Sequence, residues 1–135
     1  MLPDNVRNFL RDHLTSFECL ELLLLLHRRG GEPASLAALS RESGIGTDLA
    51  LAALVALESS QLVRRSLTEP PTFRYAAATA QLGRAVDDLE RVYRDQHAAV
   101  MSEMSINAIG RIRSGTLRAF SDAFVFGKKK RDSDG

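Results

Sequence analysis

The sequence has few of the residue types that build disulfide scaffolds or metal centres. It contains one cysteine, Cys19, among 135 residues. A single cysteine excludes an internal disulfide and a cysteine-based metal site, and it fits a protein of the reducing cytoplasm. The three histidines, His13, His27 and His97, are far apart, and none has a partner at metal-ligand spacing. We therefore expect a cytoplasmic protein that binds no metal.

Long apolar runs and catalytic motifs are also missing. The longest apolar run, LELLLLLH at residues 20–27, is too short to span a bilayer and predicts a buried helix instead. The chain has no glycine-rich phosphate loop and no nucleophile motif. We expect a protein that is not an enzyme, uses no cofactor and does not insert stably into a membrane.

Net charge is small, but its distribution is uneven. The 18 Lys and Arg residues exceed the 17 Asp and Glu residues by one, so the whole chain offers no basic field to nucleic acid. Residues 35–61 contain one arginine and three carboxylates. Residues 62–76 contain three arginines and one glutamate, and residues 111–135 contain seven basic and three acidic residues. Positive charge is therefore concentrated in 62–76 and at the C-terminus.

Capping residues and hydrophobic periodicity predict four helices in the first half of the chain. The first begins at Pro3 or Asp4, and Ser16 caps the second, which is apolar nearly all round. Ser35 caps a short third helix that ends at Gly44. Thr47 is predicted to cap the fourth, DLALAALVALESS.

Beyond residue 61 the pattern predicts a hairpin followed by more helix. LVRRSL and TFRYAA alternate as strands on either side of the turn TEPP. Apolar residues three to four apart then predict one long helix from 79 to about 108, which Gly110 interrupts. An amphipathic helix SGTLRAFSDAFVF follows, and the polar stretch 127–135 is predicted to be a disordered basic tail.

The stretch SLAALSRESGIGTDLALAALVALESSQLVRR resembles the helix-turn-helix of winged-helix proteins. Gly44 stands in the turn, Thr47 at the cap, and residues 62–65 enter the wing; the resemblance covers roughly 16–77. The following helix is similar to that of the MarR-like branch, where such helices dimerise. The segment RAFSDAF and the later KKK resemble the ends of small bacterial winged-helix proteins.

This resemblance implies a fold and a division of the chain. The fold is mainly α, a winged helix-turn-helix with a two-stranded β-wing and a long C-terminal helix. The implied parts are a winged-helix domain at 1–78, a helical extension for dimerisation or docking at 79–126, and the tail at 127–135. A homodimer through the 79–108 helix is expected.

The resemblance also implies a transcriptional regulator that binds double-stranded DNA. Residues 47–58 would enter the major groove, and four arginines would contact phosphates. The candidate DNA-binding residues are Arg41, Thr47, Asp48, Leu51, Arg64, Arg65 and Arg74.

The residue types on the expected recognition helix favour another interpretation. Its outer face would carry Thr47, Asp48, Leu51, Ala52 and Val55, with none of the Arg, Asn or Gln groups that read base edges. An exposed apolar patch marks a protein contact more readily than a DNA contact. The alternatives are therefore a protein-interaction module that has lost base-specific DNA readout, or a patch covered by another helix of the chain or by a dimer partner.

The C-terminal segment is the second candidate for a protein contact. Leu117, Phe120 and Phe124 form one stripe, and three lysines and an arginine follow it. The stripe would close the core or the dimer, dock on a partner protein, or touch an anionic membrane surface. The candidate protein-interaction residues are Leu51, Val55, Leu117, Phe120 and Phe124.

Overall fold

The computed structural model describes residues 2–112, which form a mainly helical protein with one small antiparallel sheet. The elements are α1 Asp4–His13, α2 Phe17–Arg28, β1 Ala34–Ser35, α3 Leu36–Ser43, α4 Thr47–Ser59, β2 Val63–Arg65, β3 Thr72–Tyr75, α5 Ala80–Asp95 and a further helical stretch, α6, at 97–112. The predictions at Leu117, Phe120, Phe124 and the tail 127–135 lie outside the described residues.

The sheet has three strands in the order β1-β3-β2, all antiparallel. The predicted hairpin is present as β2 and β3. The strand β1 was not predicted; it pairs Ala34 with Phe73 and Ser35 with Thr72. The wing is thus joined by backbone hydrogen bonds to the residues that immediately precede α3.

Helix ends follow the predicted caps in three of four cases. Ser16 and Ser35 each accept a backbone N–H through the side chain at 3.1 Å, from Cys19 and Ala38 respectively. Gly44 ends α3 with φ 75°, a backbone conformation that glycine adopts without strain. The predicted cap at Thr47 is wrong, because Gly46 occupies the N-cap and α4 has no side-chain cap hydrogen bond.

The core forms around α2, which packs mainly against α4. Six of the twelve residues of α2 are buried, in keeping with its predicted apolar surface. From α4 the buried side chains are Ala50, Ala53, Leu54 and Leu57, as the helix-turn-helix resemblance implied. Phe73 supplies the fully buried aromatic ring of the sheet.

The single helix predicted at 79–108 is wrong. α5 ends at Asp95, Gln96 leaves the helical region with φ −134° and ψ 53°, and α6 begins at 97. Val100 and Met104 of α6 are buried. Gly110 lies inside α6 and does not interrupt it.

The chain divides into two compact units, Met1–Met104 and Ser105–Gly135. The first contains the sheet and helices α1 to α5, and in it α5 packs on α1. In the second, the described residues 105–112 are helical and expose Ile106, Ile109 and Ile112. Within residues 2–112 no helix is both long enough and apolar enough to cross a membrane.

Gly44 and Gly83 are expected to respond to alanine with opposite signs. Gly44→Ala should lower the free energy of unfolding by about 1–2 kcal/mol, because φ 75° is unfavourable for an L-residue. Gly83→Ala should raise it by roughly 0.5–1 kcal/mol, since Gly83 lies within α5. The new methyl would meet Ala77 Cβ at an ordinary 3.9 Å. Urea denaturation of both variants measures the difference, and equal stabilities would contradict the assigned backbone conformations.

Candidate functional site

The outer face of α4 is apolar and exposed. Leu51 and Val55 are 39% and 44% exposed, and Leu49 is 58% exposed. Thr47, Asp48 and Ala52 are exposed on the same helix. Within residues 2–112 no element buries these side chains, so the N-terminal helix does not cover the patch. The predicted C-terminal helix lies outside the described residues, and cover by it or by a dimer partner stays a prediction. Leu49 was missed, because an isolated leucine in an apolar helix has no pattern that distinguishes an exposed from a buried position.

Two arginines face each other across the wing. Arg64 of β2 and Arg74 of β3 are directly paired in the antiparallel register, and both are exposed. Among residues 2–112 neither guanidinium has a carboxylate partner. Like charges directly opposite on a sheet destabilise it. An anion between them would remove that repulsion.

Arg65 has a different environment from its neighbour. Its Nη2 donates to Glu58 Oε1 at 2.9 Å, and its guanidinium carbon lies 5.0 Å from the centre of the Phe73 ring. A cation over an aromatic ring is attracted by the ring's negative face. Arg65 thus joins the wing to the end of α4, whereas Arg64 and Arg74 are available to a ligand.

Arg41 and Asp48 lie on the two helices of the helix-turn-helix. Arg41 is exposed in the last turn of α3 and has no ion pair within the described part of the chain. Asp48 is exposed in the first turn of α4, where the helix dipole favours a negative charge. A carboxylate at this end of α4 repels phosphates that approach the helix.

Two clefts lie beside these residues. The first, which we call the arginine cleft, has a volume of about 330 Å³ and is lined by Pro33, Arg64, Arg65, Ser66, Leu67, Thr72 and Arg74. The second, the helix–wing cleft, has a volume of about 450 Å³ and an almost wholly apolar lining. Its lining residues are Ser35, Leu36, Ala37, Thr47, Leu51, Arg65, Pro70, Pro71 and Phe73. Arg65 borders both clefts.

A third cavity of about 520 Å³ lies between α1 and α5, away from every predicted site residue. Asn5 Nδ2 donates to Asp88 Oδ2 at 2.8 Å beside it, and the rings of Phe9 and His13 pack 5.1 Å apart. Its lining mixes acids, amides, one arginine and apolar groups. This composition defines no single ligand class.

Polar contacts between α2 and α5 hold the two helices together. His27 Nε2 and Asp87 Oδ1 are 2.8 Å apart, and Tyr93 Oη donates to Glu21 Oε1 at 3.0 Å. Burial, then the hydrogen bond to Glu21, raises the pKa of Tyr93. Burial, then the charge of Asp87, raises the pKa of Tyr75. Both phenols stay protonated at neutral pH, and these contacts are structural.

The described residues hold no metal-ligand cluster. Among residues 2–112 no three His, Cys, Asp or Glu side chains gather closely enough to hold an ion. Cys19 is buried in α2, where its Sγ lies 3.8 Å from the carbonyl oxygen of Ala53. The exposed wing and the outer face of α4 are therefore the candidate functional surface.

The architecture is that of a winged helix-turn-helix domain. Helix α2, strand β1, helices α3 and α4 and the hairpin β2–β3 follow one another along the chain, and β1 completes the sheet of the wing.

Solved structures offer a comparison for the chain as a whole. The chain is similar to the crystal structure of NadR in complex with 4-hydroxyphenylacetate, over 97% of this chain and 89% of that one, with a TM-score of 0.44 and 17% identity. No protein-family model and no curated protein matches the chain. The winged-helix assignment rests on the element order and the sheet of this chain itself.

Proposed function

We propose that the protein is a cytoplasmic DNA-binding regulator of transcription that takes most of its DNA affinity from the wing. The observation that carries the proposal is the facing pair Arg64 and Arg74, exposed and without a carboxylate partner among the described residues. Arginine binds phosphate with a planar, bidentate group that stays charged at all physiological pH values. A DNA backbone along the wing would bring phosphate oxygens between two cations that otherwise repel each other.

Helix α4 would contribute little discrimination between DNA sequences. Its exposed residues offer one hydroxyl, one carboxylate and several apolar groups, including Leu51 and Val55. Leu51 is suited to a thymine methyl, which carries less information than a bidentate hydrogen bond. Arg41 adds one phosphate contact from α3. Arg65 adds less, because Glu58 already binds it.

A homodimer would double these contacts. The apolar face of α5 is used within the chain, since Val86 and Leu89 are buried where α5 packs on α1. Ile106, Ile109 and Ile112 of α6 are exposed at three-residue spacing, on one side of the helix. This spacing supports a dimer contact at 106–112, which overlaps only the end of the 79–108 region expected to dimerise.

Removing the facing arginines is expected to weaken DNA binding selectively. Arg64→Ala combined with Arg74→Ala should reduce the slope of log K against log salt concentration by about 2 per protomer, because each phosphate contact contributes roughly 0.9. Fluorescence anisotropy with the upstream DNA of the protein's own gene and with a random duplex, across a salt series, measures this slope.

The matched control removes two arginines from α5 instead. Arg84 and Arg91 are exposed there, so Arg84→Ala with Arg91→Ala lowers the net charge by the same amount. This variant should keep the wild-type slope. The proposal fails if the wild-type protein does not bind duplex DNA at low salt, or if both variants lose affinity equally. Equal binding to the two DNAs would remove the sequence-specific part of the proposal.

A second candidate function is protein recognition. The helix–wing cleft is nearly all apolar, and Leu51 extends its surface along α4. Apolar exposed patches of this kind mark protein contacts. A module of this type would use the fold as a docking platform without reading bases.

A further inference from the structure

We propose that the helix–wing cleft receives an acidic peptide segment of a partner protein, anchored by one large apolar side chain. The anchor would enter between the start of α4 and the tip of the wing, and acidic residues beside it would reach the arginine cleft. Direct binding tests this proposal without DNA, so it stands or fails separately from the DNA-binding function.

The walls of the cleft are suited to an apolar anchor. Leu36 and Leu51 line its helical side, and Pro70, Pro71 and Phe73 line its wing side. Its volume of about 450 Å³ lies within the roughly 300–1,000 Å³ typical of binding pockets. Aromatic and aliphatic anchors buried in such pockets supply most of the binding energy of protein interfaces.

The positive charge near the cleft favours acidic residues beside the apolar anchor of the peptide. Arg65 lines both clefts, and Arg64 and Arg74 line the arginine cleft. No Asp or Glu lines either cleft. Glu58 neutralises part of the charge of Arg65, which leaves Arg64 and Arg74 as cations without a partner among residues 2–112. Carboxylates of a bound peptide would complement them.

A protein segment fits this surface better than a small ligand or a DNA base. The helix–wing cleft and the arginine cleft share Arg65 as a lining residue, and only an extended partner occupies both. Base edges need donors and acceptors, which the lining provides in only three side chains, those of Ser35, Thr47 and Arg65. The chain's own C-terminal residues 111–135, with seven basic and three acidic groups, have the wrong charge.

Leu51 and Val55 provide a matched pair of variants. Both are exposed residues of α4 one helical turn apart, at 39% and 44% exposure, but only Leu51 lines the cleft. Leu51→Asp places a carboxylate against the anchor position, whereas Val55→Asp places the same charge outside the cleft. Circular dichroism confirms that both fold; if Leu51→Asp does not, Leu51→Ala replaces it.

The experiment selects a displayed library of random peptides on the immobilised full-length protein. One selected peptide is then synthesised with a fluorescein label for titration. The expected peptides carry Asp and Glu on one side of a Phe, Leu or Trp. Affinity should fall roughly tenfold or more with Leu51→Asp, the loss expected for a central anchor contact, and change little with Val55→Asp. Arg64→Ala with Arg74→Ala should weaken binding in a salt-dependent way.

Three results would overturn the proposal. They are selection of no peptide, selection of basic or purely polar peptides, and equal binding to the Leu51 and Val55 variants. A protein that binds duplex DNA but selects no acidic apolar peptide would keep its proposed DNA function and lose this docking site. A protein that selects such peptides and does not bind DNA would keep the docking site alone.

Discussion

Phe73→Ala is expected to lower the free energy of unfolding by about 3–5 kcal/mol, the usual cost of removing a buried phenylalanine ring. Phe73 is fully buried on the central strand, where its neighbours are Ala34 of β1 and Arg65 of β2. Its loss leaves a cavity in the sheet and removes the ring over which the guanidinium of Arg65 packs. Urea denaturation followed by circular dichroism measures the change.

Phe17 is the control for this prediction, because it is a phenylalanine that remains 38% exposed at the start of α2. Phe17→Ala should cost roughly 1 kcal/mol or less, since part of the ring already contacts water. A Phe73 variant no less stable than the Phe17 variant would show that the sheet is not part of the core.

Leu89→Asp is expected to cost several kcal/mol and to abolish cooperative unfolding of the native protein, because an isolated buried carboxylate is very unfavourable. Leu89 is fully buried on α5, which packs on α1. Arg84→Asp introduces the same residue on an exposed part of the same helix and should change stability little. Thermal unfolding measured by far-UV circular dichroism compares the two.

Hydrogen exchange in the Leu89→Asp protein also tests the predicted domain division. If α5 belongs to one cooperative unit with the helix-turn-helix, wing amides should lose protection together with those of α5. If the wing amides keep their native protection from exchange while those of α5 exchange freely, α5 is a separable extension. The predicted domain boundary between residues 78 and 79 would then be correct.

The helix ends and the buried positions of α4 could be predicted because they depend on residues close together in the sequence. Ser16, Ser35 and Gly44 act within one helical turn of themselves, so the residue type alone identifies the helix end. The inward positions of α4 follow from a fixed helical period. Thr47 was assigned one position late, because Gly46 can also precede a helix and the two choices differ little in free energy.

Features that depend on distant contacts could not be predicted. No glycine or proline marks the break at Gln96, which is associated with the burial of Val100 and Met104. The strand β1 has two residues, too few for any alternation to appear. For the candidate site, the alternation of side chains along a strand predicts that Arg64 and Arg65 point to opposite faces of the sheet. The binding of Arg65 by Glu58 depends on how the chain turns after α4.

The position of Ser35 affects how a partner would bind in the helix–wing cleft. It is the last residue of β1, paired with Thr72 of the wing, and also the N-cap of α3 through its hydrogen bond with Ala38. No linker separates the sheet from the helix-turn-helix at this point. The helix–wing cleft therefore has a preformed width, and a ligand that fits it would bind without first ordering its walls, at a smaller loss of conformational entropy.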